Sequence, residues 1–398
     1  MVDSQLFLII ALILLSTKAL SIFMRRVHLP QVVGALVAGV FLGPAVFGLI
    51  EPSETIAVVA EFGVVFLLFA AGMETDFREL RKSLKASLLV SLLGIALALG
   101  GGFVAAFAFG NPTFESFFIG VVIASMSTSI TVETLMEMGK LKTKTGTTIM
   151  GASLFDDVIV IIMLAVIMGR GEGDFSISTM GILILKIILF FALAVGAGFA
   201  ISKLFNFMHG RYGAKRRLSI FAIAYCFLMA YLAEIFGLAD ITGAYLAGIA
   251  FCSTRCVDYL ESKTHELSYM FFTPVFLASI GLQISFNGIT SSIIIFTALL
   301  TLVAIASKVI GCGIGAKLSR FSTRESLQIG AGMVARGEVS FIVAGKGIVA
   351  GFISPQLFPS VIIVVLITVM VTPFLLKAAY GGKTGDNAVA TEAGGNGK

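Results

Sequence analysis

Charged residues are scarce in this sequence of 398 residues, because Asp, Glu, Lys and Arg together supply only 13% of it. A soluble domain has about a quarter of its residues charged and about half apolar, whereas 58% of this chain is hydrophobic. The apolar runs are about 20 residues long, the length that crosses roughly 30 Å of hydrocarbon at 1.5 Å per residue. These runs fill nearly the whole chain and leave no room for a soluble domain. The composition predicts an all-α membrane protein that crosses the bilayer many times.

Cysteine and histidine are also few, with four cysteines and three histidines in the chain. Their spacing fits no metal site, so we predict neither a resident metal nor another cofactor. The formal net charge of +5 would point to an acidic partner if it formed one patch. The basic residues instead lie between the apolar runs. The lipid bilayer is therefore the expected surrounding, and nucleic acid is not an expected partner.

Hydropathy, broken at Gly, Pro and charge clusters, divides the chain into thirteen predicted transmembrane helices. They cover roughly 3–24, 29–50, 56–73, 84–109, 114–138, 146–169, 177–206, 216–235, 239–254, 266–283, 290–316, 325–350 and 355–377. Nearly all Lys and Arg residues fall in or beside alternate connections or in the C-terminal tail, and only Arg170 falls in the opposite set. Because basic connections stay in the cytoplasm, we predict that the N-terminus is outside and the C-terminus is inside.

Two parts of the chain repeat each other at an offset of 209 residues. The sequence "GALVAGVF" at 34–41 matches "GAYLAGIA" at 243–250, and the same offset aligns "FLLFAAGMETDF" with "VFLASIGLQISF". The second predicted span thus corresponds to the ninth and the third to the tenth. Because corresponding spans lie an odd number of positions apart in the order of the spans, they cross the membrane in opposite directions. We therefore predict two inverted repeats, an arrangement common in secondary transporters.

Asp156 and Asp157 are adjacent acids near the middle of the sixth predicted span. Ionisable side chains in hydrocarbon cost several kcal/mol when they are unpaired, so each needs a reason. Adjacent helical residues point about 100° apart. Asp157 shares a face with Ser153, whose oxygen would help to bind a cation, whereas Asp156 lies on an apolar face that suits a fixed partner. The alternative is that both acids form only structural ion pairs.

Lys308 lies deep in the eleventh predicted span, in "AIASKVIGCGIG". An ammonium that lies alone in hydrocarbon loses its proton, while one that faces a carboxylate can keep it. We therefore predict that Lys308 is the fixed partner of Asp156. Lys18 and Lys186 are weaker candidates, because Lys18 can reach the cytoplasmic edge and Lys186 lies near a helix end.

Two predicted spans contain sequences that favour an interrupted helix. These are "ASMSTSITVET" in the fifth span and "GAGMVARGEVSFIVAG" in the twelfth. Gly and Ser/Thr runs allow a membrane helix to unwind where its backbone lines a polar cavity. We predict two crossing broken helices beside Asp157, with Ser127 and Thr128 as candidate cation ligands. Arg336 and Glu338 would neutralise exposed helix ends or pair with each other. Ordinary close helix packing is the alternative role for the hydroxyls.

The motifs "ASLFDDV", "SKVIG" and "GMVARGEVSFIVA", with "GMET" at the end of the third span, resemble the bacterial Na+/H+ antiporters of the second monovalent cation/proton antiporter family, especially the NapA type. The resemblance covers essentially all of residues 3–377. It implies an NhaA/NapA-like antiporter fold in the bacterial inner membrane and a homodimer of thirteen-helix subunits. The implied roles are cation binding at Asp157, an Asp156–Lys308 pair, and support of the crossing helices by Arg336 and Glu338.

The resemblance also divides the single transmembrane domain, residues 1–377, into parts with different roles. It implies a core that moves like an elevator against a dimerisation scaffold. The implied parts are core helices at about 84–169 and 290–377, scaffold helices at about 3–73 and 216–283, a linker helix at 177–206, and a flexible cytoplasmic tail at 378–398.

The expected mechanism is competition, in which Asp157 holds either a proton or a cation, so that only a loaded carrier crosses. The protein is then a secondary transporter and not an enzyme, and it exchanges Na+ or Li+ for H+. Two protons leave for each cation if Lys308 also deprotonates, and one leaves if it stays charged. K+/H+ exchange is the alternative, because both ions use oxygen ligands. A channel would need a symmetric carbonyl filter, and an organic anion symporter would have Arg336 alone as its anchor.

Overall fold

The computed structural model describes residues 4–27, 29–171, 177–212, 215–283, 291–354 and 357–381. Throughout these ranges the regular secondary structure is helical, and no strand occurs in them. The helices are α1 (Ser4–Arg26), α2 (Gln31–Leu42), α3 (Glu54–Glu74), α4 (Phe77–Ala108), α5 (Thr113–Ala124), α6 (Thr128–Glu137), α7 (Lys144–Gly171), α8 (Ile177–Tyr212), α9 (Lys215–Ile235), α10 (Asp240–Phe251), α11 (Val257–Leu267), α12 (Thr273–Leu282), α13 (Ser291–Leu318), α14 (Thr323–Gly332), α15 (Glu338–Val349) and α16 (Phe358–Tyr380). A single π-helical turn, Ser268–Phe272, joins α11 to α12.

Length and hydropathy identify the elements that can cross a membrane. Among the described residues, nine helical segments are long and apolar enough, and one of them, Thr113–Glu137, combines α5 and α6. The helices α2 and α10 and the segment Val339–Ile348 are apolar but shorter. The chain is therefore a multi-pass membrane protein, while the count of thirteen spans stays a prediction.

Several predicted bounds differ from those in the structure. The predicted span that starts at 84 begins at Phe77, because the Asp76 side chain accepts hydrogen bonds from the backbone N–H groups of Arg78 (2.8 Å) and Glu79 (3.3 Å) and caps α4. At the other end of the chain, α16 continues beyond residue 377 to Tyr380. The remainder of the predicted tail, 382–398, lies outside the described residues.

The helices pack in two groups. The first helix group contains α4–α7 and α13–α16, in which α4 packs along α5, α7 and α13. The second helix group contains α1–α3 and α9–α12, in which α3 packs along α10 and α2 packs along α1 and α12. The groups meet mainly where α6 contacts α2 and α3, and where α16 contacts α2. Helix α8 contacts α9 and α10 of the second group and α7 of the first.

Glycines at the repeated positions allow the second group to pack closely. A Cβ atom at Gly39 or at Gly248 would collide with the backbone of the facing helix, which is α12 for Gly39 and α3 for Gly248. Likewise, Gly34 faces the backbone of Leu20, and Gly243 faces that of Met229. The Gly34–Leu20 contact recurs 209 residues further along as Gly243–Met229, and the Gly39–Ala278 contact recurs with the two repeats exchanged as Gly248–Phe69, so both follow the offset of the sequence repeat. The two repeats therefore use equivalent glycines for equivalent helix contacts.

A carboxylate on α6 links the two groups through hydrogen bonds. Helix α2 begins after Pro30, which provides no side-chain cap. Its first two backbone N–H groups, those of Gln31 and Val32, donate to the two carboxylate oxygens of Glu137 at 2.7 Å and 3.2 Å. Because the N-terminus of a helix carries unsatisfied N–H groups and a partial positive charge, Glu137 caps α2 from the other helix group.

Candidate functional site

Two interrupted helices lie at the centre of the first helix group. Helix α5 ends at Ala124, and α6 begins at Thr128 after residues with extended backbone. Helix α14 ends at Gly332, and α15 begins only at Glu338. Extended backbone in a membrane leaves N–H and C=O groups without helical partners, so those groups need other partners or a polar cavity.

The interruptions bond directly to each other. The backbone N–H of Ser127 donates to the carbonyl oxygen of Ala335 at 2.8 Å. The Thr131 hydroxyl donates to the Gly332 carbonyl at 2.7 Å. A Cβ at Gly337 would collide with the Ser127 side chain, so glycine is what permits this close approach. The small and hydroxylated residues of the two motifs therefore replace part of the lost helical hydrogen bonding.

Helix α7 presents the paired acids beside these interruptions. It contacts α5, α6 and α14, and a Cβ at Gly332 would collide with the Ile149 side chain of α7. Asp156 and Asp157 lie on α7 with side chains that are 0% and 3% exposed. Two carboxylates are thus buried together next to irregular backbone.

Asp156 has fixed partners on two other helices. Lys308 of α13, which is 0% exposed, forms an ion pair with Asp156 through Oδ2. The hydroxyl of Ser91 on α4 donates to Oδ1 at 2.5 Å. Both carboxylate oxygens therefore have a strong donor, which offsets the cost of burying the charge. Lys18 and Lys186, the weaker candidates, do not make this contact; the Lys18 ammonium lies 5.9 Å from the ring centroid of Tyr269.

Oxygen atoms that suit a cation occur on the helices around Asp157. The Ser153 hydroxyl, one turn before Asp157, donates to the Met150 carbonyl at 2.8 Å, and its oxygen keeps lone pairs to share. Within the described part of the chain, the buried Thr128 hydroxyl has no hydrogen-bond partner. Ser127 lies 3.2 Å from Ser129, oxygen to oxygen. A buried hydroxyl without a hydrogen-bond partner, on a helix that contacts α7, is a candidate oxygen ligand for a partly dehydrated cation.

Arg336 supports the irregular backbone. Its guanidinium is fully buried and donates to the Val334 carbonyl within the interruption and to the Ala304 carbonyl of α13 at 2.9 Å. It also lies within electrostatic range of Asp156. The side chain of Glu338, its predicted companion, lies outside the described residues. Arg336 thus satisfies exposed carbonyls and adds positive charge near the acid pair.

Sequence reasoning missed two contributions to this site. Ser91 was not singled out, although Ser87, Ser91 and Gly94 form a small, polar stripe at helical spacing on α4. The second is the 2.7 Å hydrogen bond between the hydroxyls of Ser125 and Ser340, which joins the two interruptions. The first contact depends on how α4 packs against α7, and the second depends on how α5 packs against α15, so neither could be predicted from the sequence.

Within the described residues, no group of three or more His, Cys, Asp or Glu side chains could hold a resident metal ion. The fold and the site instead define a multi-pass helical membrane protein in which interrupted helices meet beside a buried acid pair. Proteins with this combination are found among the ion transporters.

Comparison with known proteins identifies the family. Residues 9–379 match the family model described as "Sodium/hydrogen exchanger, transmembrane", and the chain belongs to this family. The Na(+)/H(+)-K(+) antiporter GerN of Bacillus cereus is 40% identical over 383 residues, which are 96% of this chain and 98% of GerN. The Na(+)/H(+) antiporter of Enterococcus hirae is 35% identical, over 93% of this chain and 96% of its own.

The fold is also similar to that of a solved sodium proton antiporter at low sequence identity. The structure of the sodium proton antiporter MjNhaP1 from Methanocaldococcus jannaschii matches with a TM-score of 0.70 at 17% identity, over 94% of this chain and 96% of that one. At this identity, the likeness concerns the fold alone.

Proposed function

We propose that this protein exchanges Na+ or Li+ for H+ across the bacterial cell membrane as a secondary transporter. The observation that carries the proposal is the buried acid pair on α7, a helix that contacts both interrupted helices. Lys308 and Ser91 bind Asp156. Asp157 shares a helix face with Ser153, and its helix contacts α6, where the Thr128 hydroxyl has no hydrogen-bond partner among the described residues. Relatives that are 35% and 40% identical and are named as antiporters support the same activity.

The proposed mechanism is competition at Asp157. A proton or a monovalent cation neutralises its carboxylate, and only the neutralised carrier crosses. We expect Lys308 to release a second proton when cation binding draws Asp156 away, so that two protons exchange for one cation. Such exchange moves net charge, and the membrane potential then contributes roughly 2.3 kcal/mol per charge per 100 mV.

We propose elevator-type alternating access within a homodimer of thirteen-helix subunits with two inverted repeats, an NhaA/NapA-like arrangement. The first helix group would be the moving core and the second the dimerisation scaffold, with α8 as the linker. Support comes from the limited contact between the groups and from the equivalent glycine contacts at an offset of 209 residues. Positive-inside charge supports an external N-terminus and a cytoplasmic C-terminus.

K+/H+ exchange is the second candidate function. The name of GerN includes K+ as well as Na+, and a K(+)/H(+) antiporter of Saccharomyces cerevisiae is 26% identical over 93% of this chain. Since Na+ and K+ both bind oxygen ligands, the size of the cavity around Asp157 would decide between them.

Proton flux in proteoliposomes, measured with Na+, Li+ or K+ as the only added cation, tests the function. We expect Na+ or Li+ to drive flux, and a response to K+ alone would favour the second candidate. Asp157→Asn should abolish exchange, and full activity in that variant would refute the assignment. An imposed voltage should change the rate, whereas indifference to voltage would exclude the two-proton stoichiometry.

A further inference from the structure

Glu133 is a buried acid that the proposed mechanism does not use. It lies on α6, its side chain is 6% exposed, and the described part of the chain offers it neither a hydrogen bond nor an ion pair. Buried carboxylates normally have partners, because an ionised one without a partner is strongly disfavoured. A buried carboxyl group of this kind is neutral when it holds a proton, and a bound cation can neutralise it in place of that proton.

The surroundings of Glu133 are negative. Glu137, one turn further along α6, and Glu74 at the end of α3 both lie within its electrostatic range. Lys142 of the α6–α7 connection acts on Glu74 and pairs with Glu261 at 3.7 Å. Glu137 already accepts two N–H groups of α2. These two hydrogen bonds fix the position of the Glu137 carboxylate, and its negative charge adds to the negative potential at Glu133.

The other elements that face this region do not neutralise Glu133. Tyr269 of the π-helical turn lies within electrostatic range of Glu133 and Glu137, and Arg25 acts on Tyr269. Lys377 of α16 acts on Glu137. None of these basic groups forms an ion pair with Glu133.

The position of Glu133 relates it to the central site. It is five residues beyond Thr128, which corresponds to about 7.5 Å along α6 towards the basic α6–α7 connection. Helix α6 contacts both α2 and α3, so Glu133 lies where the two helix groups meet. On the proposed topology, Glu133 lies on the cytoplasmic side of the interruption.

We propose that Glu133 is a second, outer binding site, where one monovalent cation replaces one proton before the cation moves on to Asp157. The proton leaves to cytoplasmic water as the cation binds, so charge at the site is conserved. A single carboxylate binds a monovalent cation weakly and releases it readily, as a staging site must, while the neighbouring acids raise the local concentration of cations. This inference rests on the proposed function.

Reconstituted full-length protein tests the site, with Na+ applied from the cytoplasmic face at pH 8. Glu133→Gln should raise the KM for Na+ by at least about fivefold, the effect of losing one unit charge about 4 Å from a cation even in bulk water, while kcat changes less than twofold. Glu133→Asp should recover most of the affinity. Glu79→Gln is the matched control, because it removes an exposed cytoplasmic acid that pairs with Lys82, and its KM should equal that of the wild type. An unchanged KM in Glu133→Gln would overturn the proposal.

A second measurement needs no substitution at Glu133. Infrared difference spectra of Asp157→Asn protein, recorded with and without Na+ at constant pH, should show one protonated carboxyl group converted to carboxylate. No such change would also overturn the outer site. Full exchange by Asp157→Asn would instead contradict the proposed function, so the two failures can be told apart.

Discussion

The buried ion pair between Asp156 and Lys308 makes a prediction about stability that depends on pH. Both side chains are 0% exposed, and removal of one partner from a buried pair typically costs 3–5 kcal/mol. In Asp156→Asn, the lysine that remains can avoid a buried charge only by releasing its proton. For a lysine that titrates near pH 10.4 in water, this costs about 4.6 kcal/mol at pH 7 and about 1.9 kcal/mol at pH 9.

The reciprocal variant should behave in the opposite way. In Lys308→Met, Asp156 avoids a buried charge by taking up a proton, which costs about 4.2 kcal/mol at pH 7 and about 1.5 kcal/mol at pH 5 for an ordinary aspartate. The unfolded state of Asp156→Asn binds more protons than its folded state, so its stability rises with pH. The folded state of Lys308→Met binds more protons than its unfolded state, so its stability rises as the pH falls.

The assay is the free energy of unfolding of detergent-purified protein in mixed micelles at pH 5, 7 and 9. The double variant Asp156→Asn/Lys308→Met has no buried charge at these positions, and we expect it to recover most of the loss without either pH slope. Slopes of the same sign in the two single variants would refute the reasoning. So would a double variant that is less stable than both.

Three further predictions concern hydrogen bonds and packing. Glu137→Ala should lower the free energy of unfolding by about 1–2 kcal/mol and speed hydrogen exchange of the first two amides of α2, and unchanged exchange would contradict the cap. Gly72→Leu should prevent close packing of α3 on α10, because even a Cβ atom at this position collides with Gly248. The melting temperature of the purified variant should fall by several degrees. An unchanged melting temperature would contradict the contact. Ser91→Ala removes one donor to Asp156 and should cost about 1–3 kcal/mol without abolishing exchange, whereas complete inactivity in proteoliposomes would assign Ser91 a larger role.

The amino-acid sequence was sufficient for the broad architecture and for identifying the buried charged residues that need an explanation. Apolar runs with few charges predicted the multi-pass helical membrane protein, because a polar backbone can cross hydrocarbon only when its own helix satisfies it. Asp156, Asp157 and Lys308 were conspicuous for the same reason, since charge inside a span is too costly to occur without a role.

The sequence was less informative about where helices begin and which side chains meet. The Asp76 cap that extends α4 is local, and the start at Phe77 could have been read from it. The Glu137 cap on α2 could not, because its partners are more than 100 residues apart in the chain. Roles for Asp157, Thr128 and the outer site at Glu133 stay predictions that transport and binding measurements will test.

The sequence by itself therefore determined which residues need a functional or structural explanation. Hydropathy and periodicity identify a charged residue inside a membrane span without reference to the rest of the fold. Only the tertiary structure could confirm Lys308, the partner that the sequence predicted for Asp156, and only it added Ser91. Lys308 and Ser91 reach Asp156 from α13 and α4, and the two interruptions bond to each other across α5, α6, α14 and α15. Such contacts depend on how distant helices cross, and short-range patterns along the chain carry no record of that geometry.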